Sequence, residues 1–120
     1  MIRAFLAAVA ICFSCPVLAQ EPSDKGTGAV LRGLDKVNGI TTDIEMRNGS
    51  SARLGRMQVD MGECRYPEGD PSGDAFAFIT IRDGVQVEPL FSGWMVASAP
   101  ALNALDHPRY DIWVLRCKTS

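Results

Sequence analysis

Three dipeptides, Asn38-Gly39, Asn48-Gly49 and Asp83-Gly84, constrain the fold of this chain more than any other feature. Each tolerates the positive φ that tight turns between antiparallel strands demand. From Ala29 onward, turn signals recur about every eight to twelve residues, the spacing of an all-β domain. The runs between them alternate. In Ile40–Met46, the residues Ile40, Thr42, Ile44 and Met46 share one face, while Thr41, Asp43 and Glu45 share the other. That is a strand with one wet face. Met57, Val59 and Met61 point inward in the same way. Strict alternation would then turn Cys64 outward, and a bulge at Gly62 is the device that returns it to the core. Ala75–Arg82 is apolar on both faces and suits a central strand, with Val85–Leu90 following across Asp83-Gly84.

Phe91–Ser98 and Tyr110–Cys117 read as the strands of a last hairpin. In the second, Trp113, Leu115 and Cys117 share one face, and Tyr110, Ile112 and Val114 the other. Trp113 would then fill the core beside Cys117. The segment Ala99–Arg109 between them is bounded by Pro100 and Pro108 and is too long for a tight turn; a short helical turn is expected before Pro108. No segment carries an apolar helical period over helical length. The expected fold is all-β, a single small antiparallel β-sandwich or barrel-like domain with one disulfide.

The N-terminus has a different grammar. Met1-Ile-Arg3 supplies one positive charge, Ala4–Cys15 is apolar, and Val17 and Ala19 are small residues at the cleavage positions before Gln20. This is the order of a secretory signal peptide. The apolar run falls short of the roughly 20 residues of a membrane span, and Pro16 closes it. Residues 1–19 are therefore expected to be a cleaved signal, 20–28 a polar flexible leader, and 29–120 the β-domain. No transmembrane segment is expected in the mature chain, and the periplasm is the expected location. Cys12-Phe-Ser-Cys15 matches C-x-x-C but falls within the discarded segment. Export into an oxidising compartment leaves Cys64 and Cys117 as an even pair, whose default reading is a disulfide.

Candidate chemistry is sparse. The formal net charge is −2, with charges mixed along the chain and no basic stripe, which argues against a nucleic-acid partner. Ser98, Asp106 and His107 supply the residue types of a hydrolase triad, but no nucleophile-elbow motif surrounds Ser98. Glu68, Asp70 and Asp74 space oxygens like the start of an EF-hand loop. Ile79 then replaces the bidentate glutamate and Pro71 interrupts the loop, so this is at most a weak cation site. Asn48-Gly-Ser50 matches the glycosylation triplet. No cofactor and no catalytic residue is expected. The densest stretch, Phe91–Cys117, supplies the candidate interaction loop: Trp94, Asn103, Asp106, His107, Arg109 and Tyr110.

Leu31-Arg-Gly-Leu-Asp-Lys36 before Asn38-Gly39, the lone Cys64, Phe91-Ser-Gly-Trp-Met95, and Ala99 through Asp106-His-Pro-Arg-Tyr-Asp-Ile-Trp-Val-Leu-Arg-Cys117 carry a resemblance. The chain resembles the family of small periplasmic proteins called domain of unknown function twenty-one fifty-five, over about Ala29 to Cys117. The resemblance implies a Gram-negative envelope location and brings no activity, cofactor or residue role. The expected function is thus a non-enzymatic adaptor that binds another envelope protein through its loops. The competing expectation is a ligand module that stacks a glycan, peptide or lipid headgroup on Trp94 or Tyr110.

Overall fold

The computed structural model describes residues 22–120. The expected signal, 1–19, lies outside them. Eight strands follow in chain order: β1 (Ser23–Lys25), β2 (Gly28–Asp35), β3 (Thr41–Arg47), β4 (Ser51–Leu54), β5 (Met57–Pro67), β6 (Phe76–Asp83), β7 (Phe91–Val96) and β8 (Tyr110–Lys118). They form two antiparallel sheets facing each other as a sandwich. One sheet runs β1-β5-β6-β7, with β4 sharing the β1 side of β5; the other runs β3-β2-β8. β5 is long enough for both: Ser51–Leu54 pairs its first half and Ser23–Lys25 its last three residues. Part of the expected flexible leader is therefore a paired strand, held because β5 offers it a free edge.

The alternation expected for β5 is present. Met57, Val59 and Met61 are buried, and Gly62 and Glu63 together stand opposite Phe78, a bulge that returns Cys64 to the core. Asn38-Gly39, Asn48-Gly49 and Asp83-Gly84 all place their glycine at positive φ, as does Gly55 in the β4–β5 hairpin. β6 lies between β5 and β7 as expected, but only Ala77, Ile79 and Ile81 are buried, while Phe76 and Phe78 lie half-exposed on the outer face. Strand β3 is an edge strand; its Met46 is buried and Ile44 half-buried, whereas Ile40, one residue before it, is exposed.

Three expectations fail. Val85–Leu90 is a loop, not an extended segment. β7 and β8 are not a hairpin: they lie at the edges of opposite sheets, and residues 97–109 cross between them. A 3-10 turn at Pro100–Leu102 is the expected short helical turn. Finally, β8 carries a second bulge, because Leu31 faces Val114 while Val30 faces Arg116, leaving Leu115 as the extra residue. The bulge puts Cys117 on the face of Tyr110, Ile112 and Val114, all buried. Trp113 therefore faces outward and is half-exposed.

Cys64 and Cys117 are bonded, with S–S 2.03 Å and Cα atoms 5.6 Å apart. The bridge joins β5 of one sheet to β8 of the other, inside a core that includes Leu31, Met57, Met61, Ile79 and Ile112. No helix among the described residues is long and apolar enough to cross a membrane.

Candidate functional site

The crossing segment 97–109 is a strap along the open side of the sandwich, and its fixings explain most of the expected interaction loop. At its start, Asp74 accepts from Ser98 N at 2.9 Å and from Ser98 Oγ at 2.5 Å, and from Ala75 N at 2.9 Å. In its middle, Asn103 Nδ2 donates to the Trp94 carbonyl at 2.8 Å, and Leu105 is buried between the sheets. At its end, the backbone N–H groups of Arg109 and Tyr110 donate to His107 Nδ1 at 3.0 and 3.2 Å. An acceptor Nδ1 leaves the proton on Nε2, which lies 3.4 Å from Asp83 Oδ2. Arg109 binds Asp35 through Nε and Nη2 and lies 5.2 Å from the Tyr110 ring centroid. Asp106 is exposed and makes no side-chain hydrogen bond or ion pair among the described residues.

Burial pushes the Asp74 carboxyl upward, but its bonds from Ser98 and Ala75 more than offset this and hold it below the usual aspartate range. The ionised form thus contributes stability above the unfolded value of about 4, and that contribution is lost as pH falls through the lower folded value. Asp74→Asn should cost about 1 kcal/mol at neutral pH. Urea unfolding from pH 7 to 3 should show the wild-type–variant gap closing in acid; a pH-independent gap would refute the role. Asp35 is likewise held low, chiefly by the Arg109 hydrogen bond.

These bonds separate the residues that sequence reading brought together. Ser98 is committed to Asp74 and His107 to Asp83, so the structure does not assemble Ser98, Asp106 and His107 into a triad. Of the three acidic residues of the EF-hand echo, Asp74 serves the strap, Asp70 accepts from Ser72, and no group of three metal-ligating side chains forms among the described residues. Asn48, first residue of the glycosylation triplet, donates inward to the Gly26 carbonyl at 2.8 Å. Tyr110 is only 6% exposed, so it cannot be a stacking platform; its hydroxyl packs on Gly55. Trp94 remains 39% exposed and meets Phe78 edge-on, with ring centroids 5.4 Å apart, on the open outer face of its sheet.

Sequence reading missed the end of the sandwich where β2 meets β3 and β6 leads to β7. Lys36 Nζ reaches the His107 carbonyl at 2.9 Å, His107 contacts Asp83, and Gly84 N donates to the Arg56 carbonyl at 2.9 Å, so these turns are neighbours. Five of the seven exposed large hydrophobic side chains among the described residues lie here: Val37, Ile40, Val85, Val87 and Leu90, with Val85 and Val87 at 95% and 86%. Below the turns, a cleft of about 140 Å3 is lined by Asp35, Asn38, Ile40, Leu54 and Tyr110. Pro89 was the available signal, since proline demotes a strand and leaves alternating valines as loop residues.

A family model described as "Uncharacterized protein conserved in bacteria (DUF2155)" matches residues 29–117. The "Uncharacterized protein RP359" of Rickettsia prowazekii (strain Madrid E) is 26% identical over 94 residues, which cover 76% of this chain and 61% of that protein. The chain thus spans less than two thirds of the length of this curated relative. No solved structure matches.

Proposed function

We propose a role that proceeds from one premise: the chain belongs to the DUF2155 family of uncharacterised bacterial proteins, whose match takes in nearly the whole sandwich. The role is that of an exported, non-enzymatic adaptor in the cell envelope, which binds another protein through the loops at one end of the sandwich. The observation that carries it is the exposure of Val37, Ile40, Val85, Val87 and Leu90 on the β2–β3 and β6–β7 turns, which share one end of the sandwich through Lys36, His107 and Asp83. Exposed apolar side chains scattered singly need no explanation, but five on two turns at one end, with the charged Lys36, Arg56 and Glu88 on these turns or the hairpin beside them, fit an interface with an apolar centre and polar rim. The bonded state of the strap residues favours a scaffolding role for them. Export is supported by the order of charge, apolar run and small residues in 1–19.

A photo-crosslinker placed at Val85 should capture one discrete envelope protein in cells, and one placed at Asp70, at the opposite end, should not. With the crosslinker kept at position 85, Val37→Asp with Val87→Asp should abolish capture with a melting temperature within about 2 °C of wild type, since both side chains are exposed. Equal capture from both ends, or none from Val85, would refute the reading. The exposed Trp94 beside Phe78 supports a second reading, stacking of a glycan or peptide on the sheet face. That reading requires quenching of tryptophan fluorescence that Trp94→Phe removes, and it fails if a broad glycan and peptide panel leaves the emission unchanged.

A further inference from the structure

Among the described residues, β8 is an edge strand whose one partner strand is β2. Asp35 N donates to Ile40 on the β3 side, and Lys36 N donates to Arg109. Alternation along the strand then turns the backbone groups of Asp111 and Trp113 toward β2 and those of Ile112 and Val114 toward the open edge. Among the described residues, neither Ile112 nor Val114 has a hydrogen-bond partner on that side. Next to this edge, a crevice of about 350 Å3 lies between Pro100, Ala101 and Ala104 of the strap and Asp111, Ile112 and Trp113 of the strand. An edge with unpaired backbone groups is a template for strand addition.

The side chains say which strand it takes. Asp111 and Arg116 form no ion pair among the described residues, whereas the neighbouring Lys118 pairs with Glu45 and Arg32 with Asp43. Asp111 and Trp113 project from the outer face, and the bulge at Leu115 brings Arg116 to that same face opposite Val30. The sequence Asp111-Ile-Trp-Val-Leu-Arg116 is thereby self-complementary under a two-fold axis. Turned antiparallel about Trp113, Ile112 of one copy meets Val114 of the other for reciprocal backbone bonds. Trp113 meets Trp113 on the axis, and each Asp111 faces Arg116 of the second copy. Aromatic pairs and opposite charges across strands are the units that stabilise such pairing.

We propose that β8 pairs with β8 of a second copy of this chain, joining the two three-stranded sheets into one six-stranded sheet. The interface is isologous, as two-fold homodimers require. It lies apart from the apolar end of the sandwich and does not rest on the adaptor reading. Sedimentation equilibrium of the purified protein should show a reversible monomer–dimer exchange. Arg116→Asp sets like charges opposite each other and should weaken it at least tenfold, as should Asp111→Arg. The exchanged pair, Asp111→Arg with Arg116→Asp, should restore dimerisation to within about threefold of wild type, since it reverses the sign of both ion pairs and keeps their geometry. Far-UV circular dichroism of each variant checks that the fold is intact. A protein that stays monomeric to millimolar concentration overturns the proposal. So does a dimer indifferent to Arg116→Asp, or one that the exchanged pair fails to restore; dimer loss on Val85→Asp instead would assign the contact to the apolar end.

Discussion

Replacing Cys64 and Cys117 together by alanine should cost about 4 kcal/mol, the chain-entropy value for a loop set by the sequence separation of 53. That is most of the net stability of a domain this size, for which about 5–15 kcal/mol is the normal range. At about 4–8 °C per kcal/mol, the melting temperature should fall by roughly 16–32 °C. The position of the bridge argues for the full effect. It ties β5 to β8, and these belong to different sheets that share no backbone ladder. Without it, apolar packing, the strap and the short β1–β2 and β3–β4 crossings must hold the two layers together. Both sulfurs are buried in the core cluster, so the alanines also leave a small void, and the two losses have the same sign. Denaturant unfolding of the oxidised wild type against the double variant measures the difference. A loss below about 1 kcal/mol would mean that packing alone secures the sandwich.

The bridge was legible because two cysteines in a chain expected to be exported leave few alternatives. The β5 bulge was legible for a related reason: Cys64 breaks the alternation set by Met57, Val59 and Met61, and Gly62 stands where the phase must change. The β8 bulge was not. Trp113, Leu115 and Cys117 are all apolar, so nothing polar marks the wrong face until Arg116. The strand therefore reads equally well with or without an extra residue, and simple alternation puts Trp113 in the core. The partition of β7 and β8 between two sheets escaped because strand order depends on pairings far apart in sequence; the length of the segment between them was the one local hint of a crossing. Of the interaction loop, residue types were legible and their engagement was not. Nothing near Tyr110 in the chain announces that Gly55 receives its ring, or that Asp83 and Asp35 occupy His107 and Arg109. The apolar end was hidden by its own valines, whose alternation imitates a strand.

Gly28→Ala should destabilise the protein by about 3 kcal/mol or more, near the upper end for overpacking. Gly28 begins β2 and pairs with Arg47 on one side and Lys118 on the other. A Cβ there would stand 1.9 Å from the Met46 carbonyl oxygen and 2.8 Å from the Arg47 Cα. Both obstacles are backbone, so no rotamer change relieves them, and the end of β3 must move away from β2. Gly26, two residues earlier, is pressed in the same manner: a Cβ on it would meet the Lys118 carbonyl oxygen at 2.7 Å and the Cys117 Cβ at 3.2 Å. The two glycines let the chain pass from β1 in one sheet to β2 in the other directly beside the disulfide, where neither position leaves room for a side chain. Gly39→Ala separates this crowding from loss of conformational freedom. It has φ +75° but nothing within 4 Å of the added carbon, so its cost should be about 1–2 kcal/mol. Urea unfolding of the two variants side by side decides the matter. If Gly28→Ala proves no worse than Gly39→Ala, the crossing beside the bridge is looser than this geometry requires, and close approach of the backbones is not what fixes β2 between β3 and β8.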